Sequence, residues 1–218
     1  AVKHFLFIFP IWLAIKERVL LKKIIVILIP YSIFALCFIF YIPEQFTEIY
    51  NDVFGYRSMN NGPFWSLFTP QFFNSYIGYY NLFIIAIFLL GFFVEEKKIV
   101  ESFLIYLIAI VTFSSAVANQ YLAIPILAIA VYWNPYFMLY TLACTIFFTI
   151  DHHSLDNPEI KELLNWSRKK ARIGYKIIIF FISIGLLEIL IGKKNINEFI
   201  KKILKWTKKK IKNQISFR

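Results

Sequence analysis

Ile24–Ile42 reads IIVILIPYSIFALCFIFYI, nineteen consecutive positions without a charge. The run does not alternate between apolar and polar residues, so it is not a half-buried strand. It is long enough to cross the hydrocarbon of a bilayer, which takes about 20 residues with about 17 as a practical minimum. In lipid a continuous run of this kind satisfies its backbone groups only as a helix. Six further apolar stretches flank it: Phe5–Ile15, Tyr76–Val94, Ser102–Ala118, Tyr121–Trp133, Tyr136–Ile150 and Ile177–Ile191. Tyr76–Val94 and Ser102–Ala118 also have the length of a span. Tyr121–Trp133 and Tyr136–Ile150 are short and separated by Asn134-Pro135, so they are either two short helices or one broken by proline. The pattern predicts an all-α, polytopic transmembrane helix bundle of about six to seven spans. Residues 1–192 form that region, with an extracytoplasmic connection over 43–75, and residues 193–218 form a basic tail.

Composition points the same way. Apolar residues make up 59% of the 218 positions, aromatics 20% and charged residues 17%, against the ~45–50% apolar and ~25% charged of a soluble domain. The formal charge is +11, and it is concentrated at one end. Lys193–Arg218 holds ten Lys or Arg against the single Glu198, 10 − 1 = +9. Ile196, Ile200, Ile203 and Ile211 share one side of that tail with Phe199 and Trp206 near them, so it reads as an amphipathic helix on anionic headgroups or as a solvated basic end that sets topology. Nothing else resembles a nucleic-acid module, so nucleic acid is not an expected partner. Cys37 and Cys144 lie inside apolar runs and imply neither a disulfide nor a metal site. The chain begins at Ala1 and is apolar almost at once, without a signal-peptide layout, and reads as a segment of a longer protein.

Orientation follows the Lys/Arg content of short connections. Lys16, Arg18, Lys22 and Lys23 put the first turn in the cytoplasm. The connection 43–75, with Glu44, Glu48, Asp52 and Arg57, is then outside. Lys97-Lys98 returns inside, Asn119-Gln120 comes out again, and the basic tail is cytoplasmic. One conflict stands: simple alternation places Asp151–Lys176 outside, although it carries Lys161, Arg168, Lys169, Lys170, Arg172 and Lys176.

Four features could carry chemistry. Lys3-His4 opens an apolar helix containing Pro10, and a cation there suits a phosphate in the headgroup region, or else snorkels at a helix end. Val53-Phe54-Gly55-Tyr56-Arg57-Ser58 leads to Gly62-Pro63-Phe64-Trp65. Arg57 is the only Lys or Arg of that connection, among rings that would stack on a sugar or anchor the loop at the interface. Asn119-Gln120-Tyr121 groups three hydrogen-bonding side chains at a helix end, where they either join two helices or line a polar cavity. Asp151-His152-His153 with Asp156 offers only one i, i+4 pair, too few converging ligands for a metal site. Glu188 is a lone carboxylate in the last apolar stretch, within reach of Lys193.

The order of the first three features resembles the C-terminal transmembrane half of the GT-C glycosyltransferases, which use polyprenyl- or dolichyl-phosphate sugars. A Lys-led helix with a proline (Lys3 to Pro10) precedes a basic turn and a span. Val-Phe-x-Tyr-x-Ser and Gly-x-x-Trp follow (Val53 to Ser58, Gly62 to Trp65), and Gln-Tyr-Leu-x-x-Pro comes last (Gln120 to Pro125). The resemblance covers about Lys3 to Ile150. It implies a multi-pass enzyme of the plasma membrane, or of the endoplasmic reticulum in a eukaryote, moving a sugar from a polyprenyl-phosphate donor to an extracytoplasmic acceptor without a cofactor. Lys3 and His4 would lie near the donor phosphate. Tyr56, Arg57 and Trp65 would belong to the loop over the donor, and Asn119, Gln120 and Tyr121 would face the transfer cavity. In that family the catalytic base is an acidic residue of an earlier loop, so none is assigned here; Glu48 and Asp52 are the nearest carboxylates. A transporter or flippase of lipid-linked sugars, or a non-catalytic membrane subunit, would share these features.

Overall fold

A computed structural model describes residues 7–39, 63–68, 77–115, 119–151 and 155–192. The described residues are helical, without a strand. In chain order they form α1 (Phe9–Lys16), α2 (Leu20–Ile39), α3 (Pro63–Phe68), α4 (Tyr79–Phe93), α5 (Ile99–Phe113), a 3-10 turn (Asn119–Ala123), α6 (Ile126–Val131), α7 (Pro135–Ile150), α8 (Pro158–Leu163) and α9 (Arg168–Ile191). The expected helix 193–218, the first residues 1–6 and most of the connection 43–75 lie outside the described residues.

Helix α5 is the axis of the bundle. Every residue from Leu104 to Thr112 is buried, and Ser102 with it. Helices α4 and α6 pack on α5, as do α1, α3 and α9. The turn Val94–Lys98 is short, so α4 and α5 form an antiparallel pair. Phe83, Ile87, Leu90 and Val94 supply the buried side of α4, spaced three or four apart as one helix face requires.

Helix α1 begins where Pro10 fixes the first helical turn rather than kinking a longer helix. At eight residues it is about 12 Å long, so Phe5–Ile15 is not a span within the described residues. Trp12 anchors α1. Its indole is buried, donates from Nε1 to the Ile87 carbonyl at 3.0 Å, and lies edge-on to Tyr106 at 5.1 Å. Gly91 makes the approach possible, since a Cβ there would sit 3.1 Å from both Trp12 and Ile15 atoms. Helix α2 packs on α1, tied by the Tyr31 hydroxyl, which donates to the Phe7 carbonyl at 2.6 Å.

The two short stretches around Asn134-Pro135 are two separate legs. The Tyr140 hydroxyl of α7 donates to the Leu122 carbonyl. One continuous helix would hold those residues about 27 Å apart, so the chain must reverse at Tyr132–Asn134. Asn134 makes the reversal: its Oδ1 caps α7 by accepting from the Phe137 N–H at 2.9 Å, and its Nδ2 donates to the Gly185 carbonyl at 3.3 Å. Pro135 then sits where its missing N–H costs nothing.

Helices α7 and α9 share the most extensive interface of the bundle. Gly174 faces Phe147 and Gly185 faces Phe137, which makes the pair antiparallel. A Cβ at position 185 would stand 2.3 Å from the Phe137 ring, so glycine is what admits this close crossing. Helix α9 starts earlier than the apolar stretch Ile177–Ile191 indicates. Ser167 caps it by accepting from the Lys170 N–H, and the basic residues Arg168–Lys176 form its first turns.

Span lengths differ from expectation. Lys170–Ile191 is the one helix among the described residues long and apolar enough to cross a membrane. The stretches Tyr76–Val94 and Ser102–Ala118 yield fifteen-residue helices, because a positive-φ Gly78 starts the first and extended backbone at Ser114 ends the second.

Candidate functional site

The bundle has two ends. At the first, the Lys16 ammonium donates to the Val94 carbonyl at 2.9 Å, to that of Glu95 at 2.6 Å, and to that of Lys97. Val94 is the C-cap of α4 and Glu95 and Lys97 belong to the turn after it, and a cation complements that end of a helix. Burial lowers the Lys16 pKa, and the carboxylates of Glu95 and Glu101 pull it back up. Tyr132 lies within electrostatic reach of Glu101, and Glu188 lies within reach of Tyr136. The first end therefore gathers Lys16, the turn Val94–Lys98, the reversal at Asn134 and the last turn of α9.

The opposite end is built by α3, the close of α5, the 3-10 turn and the connection Asp151–Ser167. Trp65 is the sequence-selected residue it holds most firmly. Its ring is buried, its Nε1 donates to the Phe113 carbonyl at 2.7 Å, and Phe64 packs edge-on against both Trp65 and Phe113. That carbonyl is one of the last of α5, and the indole satisfies it where the helix cannot. Six residues further on the chain enters Asn119–Ala123. Gln120 is exposed there, Tyr121 is half-buried against the core, and Leu122 is buried. Pro125 follows and starts α6. Asn119 lies in the same turn, outside the described side chains, so the turn joins α5 to α6 with Gln120 outward.

Trp65 is thus bonded to the end of α5, and Gln120 follows that same end seven residues after Phe113. Lys3, His4, Tyr56 and Arg57 lie outside the described residues, as do His152 and His153. Among the described residues no group of three or more His, Cys, Asp or Glu could hold a metal. Hydroxyls are already engaged. Thr112, Thr141, Thr145, Thr149 and Ser183 each donate to the carbonyl four residues earlier, as Ser and Thr inside helices commonly do. None is poised as a nucleophile. Cys144 is buried beside Tyr140, and burial makes its thiol an inert hydrophobe.

Sequence reading missed two features. Asn157 caps α8 by accepting from the Ile160 N–H at 3.0 Å, with Pro158 in the first turn. The Asn-Pro-Glu order was the available signal. Lys161 pairs with Asp156, and Lys170 donates to the Leu164 carbonyl at 2.8 Å, so the connection Asp151–Ser167 is folded onto the start of α9.

The described residues form an all-helical bundle with one helix among them fit to cross a membrane. Compared with family models, curated proteins and solved structures, the chain matches none of them.

Proposed function

We propose that this chain is the C-terminal part of a multi-pass membrane glycosyltransferase that takes a sugar from a polyprenyl-phosphate donor. The observation that supports the reading is the Trp65–Phe113 bond, which ties the Trp of one motif to the end of α5 from which the chain runs on to Gln120 of the other. Two segments separated by two helices reach the same bilayer face, as a site for one lipid-linked substrate requires.

The membrane part of the reading rests on what faces outward. Leu20, Leu21, Ile24, Ile25, Leu28, Ile29, Ile33 and Leu36 of α2 are all exposed, so α2 is apolar on nearly every side, as a lipid-embedded helix is. Leu89, Phe92 and Phe93 of α4 are exposed too, as are Leu139, Leu142 and Ile146 of α7. Only 39% of the most apolar window of α9 is buried, whereas a helix in a soluble core is mostly covered. Twenty-residue α2 and twenty-four-residue α9 span about 30 and 36 Å. Fifteen-residue α4 and α5 span about 22 Å, so the bilayer thins around the bundle centre. Six crossings, by α2, α4, α5, α6, α7 and α9, require that the legs α6 and α7 each traverse.

The test is sugar transfer by the full-length protein. Trp65→Ala, Gln120→Ala and Arg57→Ala abolish transfer while expression and membrane insertion stay normal. Wild-type transfer by all three variants sinks the assignment. Movement of an intact lipid-linked sugar across vesicles, without transfer, would assign the same end to a flippase instead.

A further inference from the structure

We infer that the first turns of α9 form a collar that holds acidic phospholipid headgroups, on the leaflet opposite the basic tail. The inference rests on the membrane reading above, not on the choice of enzyme. Charge along this part of the chain is sorted. Asp151, Asp156, Glu159 and Glu162 all precede Ser167, and Arg168, Lys169, Lys170, Arg172 and Lys176 follow it with no acid before Glu188. Lys161, the one Lys or Arg between Asp151 and Ser167, pairs with Asp156, and Lys170 of the following set donates to the Leu164 carbonyl.

Arg172 and Lys176 are different. Both are exposed, and neither makes an ion pair or hydrogen bond among the described residues. At i and i+4 they stack on one side of α9 about 6 Å apart along the axis. Ile173, Ile177 and Phe180 beside them are also exposed, so the two cations border the lipid-facing stripe rather than the core. Counting about 20 residues back from Ile191 places the hydrocarbon boundary near Arg172. Lys176, one turn deeper, has the stem length to bring its ammonium back to the headgroup phosphates. Exposed Leu155, Leu163 and Leu164 flank the collar and supply apolar anchors at the same level.

This also accounts for a charge problem. Antiparallel α7 and α9 place Asp151–Ser167 at the end opposite Lys16, where the positive-inside bias disfavours cations. A phosphate partner offsets that disadvantage, and a guanidinium beside an ammonium suits a phosphodiester.

The experiment uses the full chain in micelles offered equal phosphatidylcholine and phosphatidylglycerol, with retained lipid counted by native mass spectrometry. The double variant Arg172→Gln/Lys176→Gln loses preference for phosphatidylglycerol by about fivefold per cation removed, the effect of a cation near an anionic surface. Arg172→Lys/Lys176→Arg keeps it, which separates charge from packing. Lys209→Gln/Lys210→Gln, in the tail, leaves the collar's share intact. Full preference in the collar variant overturns the inference, as does competition by inorganic phosphate, which would mean a free-anion site. If alkaline carbonate strips the chain from membranes, the membrane reading itself fails and the collar with it. An integrated chain without collar dependence sinks the collar alone.

Discussion

Gly185 shows how one atom decides a helix crossing. The Phe137 ring occupies the space of the missing side chain, and close-packed interiors absorb an added methyl only by moving backbone or rotamers. Gly185→Ala should destabilise the bundle by about 1–3 kcal/mol. The cost should shrink when Phe137→Leu is combined with it, because the two changes share one contact. A thiol-reactive dye reports this directly in a Cys37→Ser background, where thermal unfolding exposes buried Cys144. Strict additivity of the two changes would show that the contact is not the cause. Asn134→Ala removes an N-cap worth about 1 kcal/mol and the bond to the Gly185 carbonyl, so it lowers the same midpoint. Gly185 did not stand out as structural in the sequence. Asn134-Pro135 was legible as a break, but the partner fifty-one positions away is a property of the fold. Trp65 was legible by type, as an aromatic in a long connection. That it bonds the end of α5 depends on α3, whose six residues give too short a periodic signal.

Among the elements, apolar runs marked most helices and mis-set their ends, because boundaries depend on caps and hydropathy does not see caps. Ile177–Ile191 looked short; Ser167 caps the helix ten residues before the apolar sequence starts at Ile177, and among the described residues the element becomes the one long and apolar enough to cross a membrane. The reverse holds for Tyr76–Val94, where Gly78 starts α4 late. Helix α1 is held to α4 by two polar contacts, one at each end of its apolar face. Trp12 reaches the Ile87 carbonyl, and Lys16 closes the C-terminus of α4. Lys16→Met keeps the stem and removes the ammonium. The loss of charge-assisted bonds in a half-buried setting should cost about 1–2 kcal/mol, and amides of the turn Val94–Lys98 should exchange faster with deuterium. Lys16→Arg should recover part of the protection. Unchanged exchange in Lys16→Met would mean that water satisfies those carbonyls as well.

For the molecule as a whole, the arrangement of ends makes a sharper claim than the count of spans. Charge alone left Asp151–Lys176 undecided, because its own lysines and the tail argue for opposite placements. The Tyr140–Leu122 bond and the antiparallel α7–α9 pair decide the geometry. The chain reverses at Asn134, so the connection Asp151–Ser167 and the turn Val94–Lys98 lie at opposite ends. If the bundle is embedded in a bilayer, cysteines at these two places must be labelled from opposite sides. Glu159→Cys should react with a membrane-impermeant maleimide in intact cells, whereas Glu96→Cys should react only after permeabilisation. Both side chains are exposed, so failure to label reports the membrane and not burial. Labelling of the two from the same side would mean that α6 and α7 do not both cross. In that case Trp65 and Gln120 still share one end through α5, but the collar of α9 falls on the side of Lys16 and the basic tail on the opposite one, and the positive-inside bias alone explains the collar's cations.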